Sequence, residues 1–291
     1  MTEPHASPLD KNHLSLDREI ALKYVTYLVD KRIADLPQTR RDFCEQAGFH
    51  PKLLYNNPHV GAIEKLFRDQ SSIERLGDMT LIEYLRYHYY YLHQGYRYGA
   101  PRLQQRWLGH DLIKTPMDCW VYQEIIWETR PDFIIELGVM FGGATHFYAS
   151  ICDLVGHGQV IGIDVSLAKA RGPDNARIRY IEGSSTSPAT VDQVRGIVRG
   201  GRVLVIADSD HEKNHVLAEI RAYAPMVHVG GYFIVEDSLN DVMGYHPVPN
   251  EGPKAAAHAF LAECDDFVPD RRWGERYLMT LNPDGFLLRV K

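Results

Sequence analysis

Short apolar runs alternate with stretches of helical periodicity along the second half of the chain. The runs are Phe133-Ile134-Ile135, closing on Glu136; Gln159 to Asp164 (Q-V-I-G-I-D); Ile178 to Glu182; Arg202 to Asp208 (R-V-L-V-I-A-D); and Tyr232 to Asp237 (Y-F-I-V-E-D). Strands this apolar have no wet face, and strands separated by helices pair in parallel. The pattern therefore predicts a mostly parallel sheet with helices on both sides. The segment from His146 to Leu154 reads as the helix after the first strand. Thr115-Pro116-Met117-Asp118 opens the helix before it, through Trp127, with a capping threonine, a proline at the first helical position and an acid in the first turn. The last two apolar runs, Y-L-M-T-L and F-L-L-R-V, flank Asn282-Pro283-Asp284-Gly285 and read as a hairpin.

The first third of the chain is organised differently. Residues 1–14 read as a flexible tail. From Leu16 to Asp35 apolar residues fall at helical spacing (Ile20, Leu22, Val25, Leu28, Val29, Ile33), and helical segments continue to about residue 96. The expected division is a helical N-terminal region over 1–98 and an α/β domain over 99–291. The stretch Y-L-R-Y-H-Y-Y-Y-L-H-Q-G-Y-R-Y carries Tyr84, Tyr87, Tyr89, Tyr90, Tyr91, Tyr96 and Tyr98. Two readings stand: a helix packed between layers or subunits with its hydroxyls at the wet edge, or the lining of a substrate or carbohydrate pocket.

Composition narrows the partners. Hydrophobic residues make up 45% of the 291, enough for a large core and against wholesale disorder. A net charge of −6 with 14 histidines offers no global basic face for nucleic acid. Cys44, Cys119, Cys152 and Cys264 are widely spaced with no C-x-x-C, the usage of reduced thiols in a cytoplasmic protein. M-T-E-P-H-A-S-P has neither the basic nor the apolar part of a signal peptide, and no apolar stretch approaches the ~18 residues of a membrane span.

The chemistry begins at E-L-G-V-M-F-G-G-A-T, Glu136 to Thr145. A strand that ends in an acid, turns through glycines and enters a helix is suited to S-adenosylmethionine (SAM). Gly138, Phe141, Gly142 and Gly143 form the turn, whose glycines let the backbone approach the ligand, and Glu136 is placed toward the sulfonium or amino group. The dinucleotide fingerprint G-x-G-x-x-G fits poorly. Glu136 stands at its first glycine, the gap from Gly138 to Gly142 is one residue too long, and a carboxylate would repel a pyrophosphate.

Ligands of open α/β sheets sit beyond the carboxyl ends of the strands, and Glu136, Asp164, Asp208 and Glu236-Asp237 stand at such ends here. Asp164 is placed to accept both ribose hydroxyls of an adenosine, while Gly183, Ser184 and Ser185 follow the third strand at the adenine or its ribose. Asp208 borders the same ligand. Asp208, Glu236 and Asp237 also bring three carboxylates together, which calls for a cation unless they cap helices or pair with Arg and Lys. Mg²⁺ suits such oxygen ligands and keeps waters for a substrate to displace. Asp210 is the reserve ligand. Zinc or iron through His211 and His215, at i and i+4 in H-E-K-N-H, is the alternative, set second because the strand-end acids favour a hard ion. His211, three residues past Asp208, is the candidate general base, with Asp210 second.

The stretches D-C-W-V-Y-Q-E-I-I-W-E-T-R-P-D, I-I-E-L-G-V-M-F-G-G-A-T, V-I-G-I-D-V, I-E-G-S-S-T, A-D-S-D-H-E-K-N-H-V-L-A-E, Y-A-P-M-V, Y-F-I-V-E-D and N-P-D-G-F-L cover about residues 100–291. Together they resemble the cephalosporin hydroxylase/rhamnosyl O-methyltransferase family, which includes the cephamycin-pathway CmcI proteins. The resemblance implies a Rossmann-like class I SAM methyltransferase fold ending in an antiparallel hairpin. It also implies an Mg²⁺ site of Asp208, Glu236 and Asp237, His211 as base, and homo-oligomers. The implied reaction is methylation of a hydroxyl on a sugar or other vicinal diol of a small, glycosylated natural product. A partner of an oxygenase in a hydroxylation–methoxylation step and a non-catalytic SAM-binding scaffold stay open. Residues 1–95 lie outside the resemblance and are assigned substrate or subunit contacts. Segment 244–249 (G-Y-H-P-V-P), with Gly252-Pro253, reads as a mobile lid beside the metal.

Overall fold

The computed structural model describes residues 105–170, 174–241 and 251–291, together with 36–48 and single positions between 23 and 89. Residues 1–14, most of the tyrosine-rich stretch and segment 244–249 lie outside the described residues. The chain divides into two compact units, Met1–Leu85 and Arg86–Lys291. In the first, helix α1 (Leu36–Ala47) supplies Phe43, whose ring lies 5.2 Å from those of both Tyr24 and Tyr27. Among the described residues no helix is long and apolar enough to cross a membrane.

The second unit opens with a two-stranded ribbon, β1 (Arg106–Trp107) and β2 (His110–Asp111), and helix α2 (Pro116–Thr129). There follow β3 (Phe133–Leu137), α3 (Gly143–Val155), β4 (Gln159–Asp164), β5 (Ile178–Glu182), α4 (Pro188–Ile197), β6 (Val203–Ala207), α5 (Lys213–Tyr223) and β7 (Tyr232–Val235). α6 (Pro253–Glu263), β8 (Phe267–Pro269), α7 (Arg271–Glu275) and β9 (Phe286–Arg289) complete it. The seven-stranded sheet runs β5-β4-β3-β6-β7-β9-β8; its first five strands are parallel, and β9 pairs antiparallel with both β7 and β8.

The period of two along each strand divides the core. Ile135, Leu137, Ile161, Val203 and Val205 face α4, α5 and α6. Ile134, Val160, Leu204 and Ile206 face α2 and α3, where Val121, Ile125, Phe147 and Tyr148 meet them. Glu136 shares its face with Ile134, so its carboxylate enters the α3 side of the sheet. The start of α2 is as the sequence predicts: Thr115 is the N-cap, and its hydroxyl oxygen accepts from the Asp118 amide at 3.1 Å.

The C-terminal hairpin differs from its sequence reading. F-L-L-R is β9, but its antiparallel neighbour on the free side is Phe267–Pro269, and the run before Asn282 is no strand. Asp118 explains why. Its carboxylate accepts from the Thr280 hydroxyl at 2.5 Å and the Leu281 amide at 3.0 Å, while Leu278 adopts a left-handed φ of 62°. A buried side chain thus claims the Leu281 amide, a donor that a strand would give to a ladder, and holds the Thr280 hydroxyl beside it.

Candidate active site

The carboxyl ends of β3 to β7 open onto a cavity of about 620 Å³. Of the site residues read from the sequence, Glu136, Gly138, Phe141, Gly143, Asp164, Gly183, Ser185, Asp208, Asp210, His211 and Asp237 line it. Gly142, Ser184 and Glu236 do not. Gly142 is the left-handed N-cap of α3 (φ 82°), and the Ser184 hydroxyl pairs with Thr186 at 3.1 Å.

The glycine turn is held from both sides. Gly138 sits at φ 95°, and its amide donates to the Ile163 carbonyl at 2.8 Å. Its missing Cβ leaves room for the Asp208 carbonyl, which an added Cβ would meet at 2.0 Å. Asp164 ties down the following residues: one oxygen accepts from the amides of Val139 and Met140, each at 2.9 Å, and the other from Ser166 at 3.0 Å. A carboxylate has about four lone-pair sites, so Asp164 keeps acceptor capacity toward the cavity. Glu136 is buried and accepts from the Thr145 hydroxyl; burial pushes its carboxyl up to about 8.

Deeper acids are joined by a residue the sequence reading passed over. Lys114, just before α2, is 3% exposed and donates to Asp208 at 2.9 Å and to Glu236 at 2.5 Å. Burial pushes this ammonium down, but the two carboxylates outweigh it and hold it well above its ordinary value. The other oxygen of Glu236 accepts from the Tyr122 hydroxyl at 2.7 Å, and that hydroxyl accepts from the Asn282 amide group at 2.7 Å. Glu236 therefore sits one layer behind the cavity, facing Lys114 and Tyr122 rather than the point where Asp208 and Asp237 meet. A lysine in K-T-P-M-D carries no motif of its own, and only its burial reveals its partners.

Asp237 reaches that point through a left-handed backbone, φ 53°, with its amide held by the Asn282 side-chain oxygen at 2.8 Å. A non-glycine residue in this region is strained, and such strain gathers at functional sites. His211 completes the cluster. Its Nε2 lies 3.3 Å from Asp237 and 3.6 Å from Asp208, is buried, and has no hydrogen-bond partner. Ligand atoms of Asp208, His211 and Asp237 all fall within 4.8 Å of one another. Burial lowers the His211 imidazole, but Asp208 and Asp237 prevail and raise it to about 9. Lys114 and His211 together hold Asp208 below the usual carboxylate range despite its burial.

Asp210 and His215 stand apart from this cluster. Asp210 accepts from the Glu212 amide at 3.0 Å, capping the turn into α5. His215 lies 3.3 Å from Glu219, so the two histidines at i and i+4 belong to different groups of side chains. That separation removes the geometric basis for a zinc or iron site shared between them.

A parallel sheet of this order, with a glycine turn and acids at four strand ends, defines a Rossmann-like methyltransferase. Similarity to known proteins gives the same class. The chain is 34% identical over 192 residues to rhamnosyl O-methyltransferase of Mycobacterium tuberculosis, covering 63% of this chain and 77% of that one. With the same-named protein of Mycobacterium leprae it is 35% identical over 193 residues, covering 63% and 82%. Two solved structures of CmcI share the fold. The apo form has 27% identity and a TM-score of 0.52 over 64% of this chain and 76% of that one; the form with Mg and SAM has 26% and 0.52 over 64% and 77%. The model of the family Rhamnosyl O-methyltransferase/CmcI matches residues 102–290. The chain belongs to that family and is a SAM-dependent O-methyltransferase.

Proposed function

We propose that the chain transfers the methyl of SAM to a hydroxyl of a sugar or other vicinal diol on a small natural product, with Mg²⁺ at Asp208 and Asp237. The observation that carries this is the meeting of two strand-end carboxylates and the Nε2 of His211 at the mouth of the cavity that begins at Glu136. The names of the mycobacterial relatives support a glycosyl acceptor, and the CmcI structure with Mg and SAM supports the cofactor pair. Asp164, Gly183 and Ser185 fit the adenosine, and Glu136 fits the cationic end of SAM.

The donor set fits a hard cation. Mg²⁺ is held through one or two carboxylates and keeps its waters, which matches Asp208 and Asp237. Glu236 stands behind them, its carboxylate paired with Lys114 rather than offered to the ion. Bound there, the ion would lower the pKa of a hydroxyl and orient it. Because Mg²⁺ favours oxygen, the nitrogen of His211 is left as the base that takes the acceptor's proton. The homo-oligomer and the helical region's contacts belong to the same proposal.

Labelled SAM with Mg²⁺ and a panel of rhamnosides and other glycosides tests it. Methyl transfer should stop with EDTA and fall at least about a thousandfold in Asp208→Ala, while S-adenosylhomocysteine binding stays within a few-fold. Full turnover in EDTA would overturn the metal assignment. A pH effect accompanies it. Below about 9 the metal-free imidazole is protonated, so its charge must leave when the ion enters. Mg²⁺ affinity should rise up to about tenfold per pH unit from 7 toward 9 and then level off. Calorimetry in His211→Asn should show that slope flattened; an unchanged slope would remove His211 from the site.

A further inference from the structure

We infer that the buried Glu219 turns Ser185 and Ser209 in the cavity wall into a pair of hydrogen-bond acceptors that selects the 6-amino group of the cofactor's purine. The inference rests on the SAM reading and deepens it.

Glu219 lies on α5 with no exposure. One of its oxygens is 2.5 Å from the Ser185 hydroxyl, 2.6 Å from that of Ser209 and 3.3 Å from His215 Nε2. Its second oxygen is buried without a partner, so all its hydrogen bonding runs through the first. Tyr223 fixes the same wall from behind, donating to the Ser185 carbonyl at 2.8 Å. Ser185, Ser209 and His215 line the cavity; Glu219 does not.

A serine hydroxyl has one proton and two lone pairs, and a carboxylate only accepts. Each serine therefore spends its proton on Glu219 and presents lone pairs to the cavity. His215 Nε2 lies 3.3 Å from both Glu219 and the Ser185 hydroxyl and braces the same group. Two hydroxyls that in isolation either donate or accept are thus committed to one polarity.

Placement decides what meets them. Asp164 ends β4, and Ser185 follows the adjacent β5. A ribose held at Asp164 leaves the base toward Ser185 and α5. Adenine offers an amino donor at position 6, whereas a 6-oxo purine offers an acceptor there and meets only lone pairs. A site built to hydrogen-bond one group rejects the analogue that lacks it, because its own polar atoms are left unpaired. Glu219 is a positioning residue in this scheme, since it acts through the side chains that face the ligand.

The experiment is calorimetry on the full chain at pH 8 with S-adenosylhomocysteine and its 6-oxo counterpart, S-inosylhomocysteine. The wild type should prefer the 6-amino compound by about 100-fold or more. Glu219→Gln, whose amide can donate, should narrow that preference at least about tenfold. A wild-type preference near one, or a Glu219→Gln chain that weakens both ligands equally, overturns the inference. If Glu219→Gln does not fold, Ser185→Ala and Ser209→Ala decide: a reduced preference supports it, and an unchanged one overturns it. A wild type that binds neither compound removes the SAM reading itself, which is a distinct result.

Discussion

Lys114→Met should lower the melting temperature of the metal-free protein by about 6–20 °C. The ammonium is the shared counter-charge of the buried Glu236 and the partly exposed Asp208, with side-chain exposures of 2% for Lys114 and 5% for Glu236. Removing one partner of a buried pair costs about 3–5 kcal/mol, because the remaining charge has neither water nor a cation. Each kcal/mol is worth about 2–4 °C in a unit of this size. Adding Glu236→Gln to Lys114→Met should restore part of the loss, since the uncompensated acid is then neutral. A drop below about 2 °C in calorimetric melting, or a double variant no better than the single one, would show that the pair is not the anchor of this wall.

Gly138→Ala should abolish measurable S-adenosylhomocysteine binding and destabilise the fold by about 2–5 kcal/mol. Two costs add. A side chain at φ 95° is strained, and the new Cβ would lie 2.0 Å from the Asp208 carbonyl. Relief requires β3 and β6 to part where the glycine turn and Asp208 share the cavity wall. Binding calorimetry and thermal melting measure the two parts separately. Near-normal affinity in the variant would mean that the turn is not where the cofactor lies.

The strand-end acids were legible because an apolar run stops at a charged residue whatever its neighbours are. Glu136, Asp164, Asp208 and Asp237 were named on that basis, and all four line one cavity. Glu236 shows the limit of the argument. Next to Asp237 in sequence, it points toward Lys114 and Tyr122, because adjacent residues leaving a strand take different directions. Lys114, Tyr122 and Asn282 carried no signal that a sequence reading isolates. Tyr122 lies within α2, Lys114 just before it, and Asn282 in a turn; their roles exist only once β7 is beside them.

The misplaced hairpin has the same cause. Periodicity identified β9, but the run before Asn282 is as apolar as a strand and differs only in its partners, with Asp118, far away in sequence, taking its Thr280 and Leu281 donors.

The sequence by itself determined the parallel strands, the glycine turn, the cap at Thr115 and the supply of acids, because each depends on residues within a few positions of one another. Tertiary structure alone decided which acids face the cavity, which lysine neutralises the others, and how Glu219 sets the polarity of Ser185 and Ser209. Those outcomes depend on charges and donors brought together from separate strands into a dry interior, where a partner 2.5–3 Å away governs what a group can do.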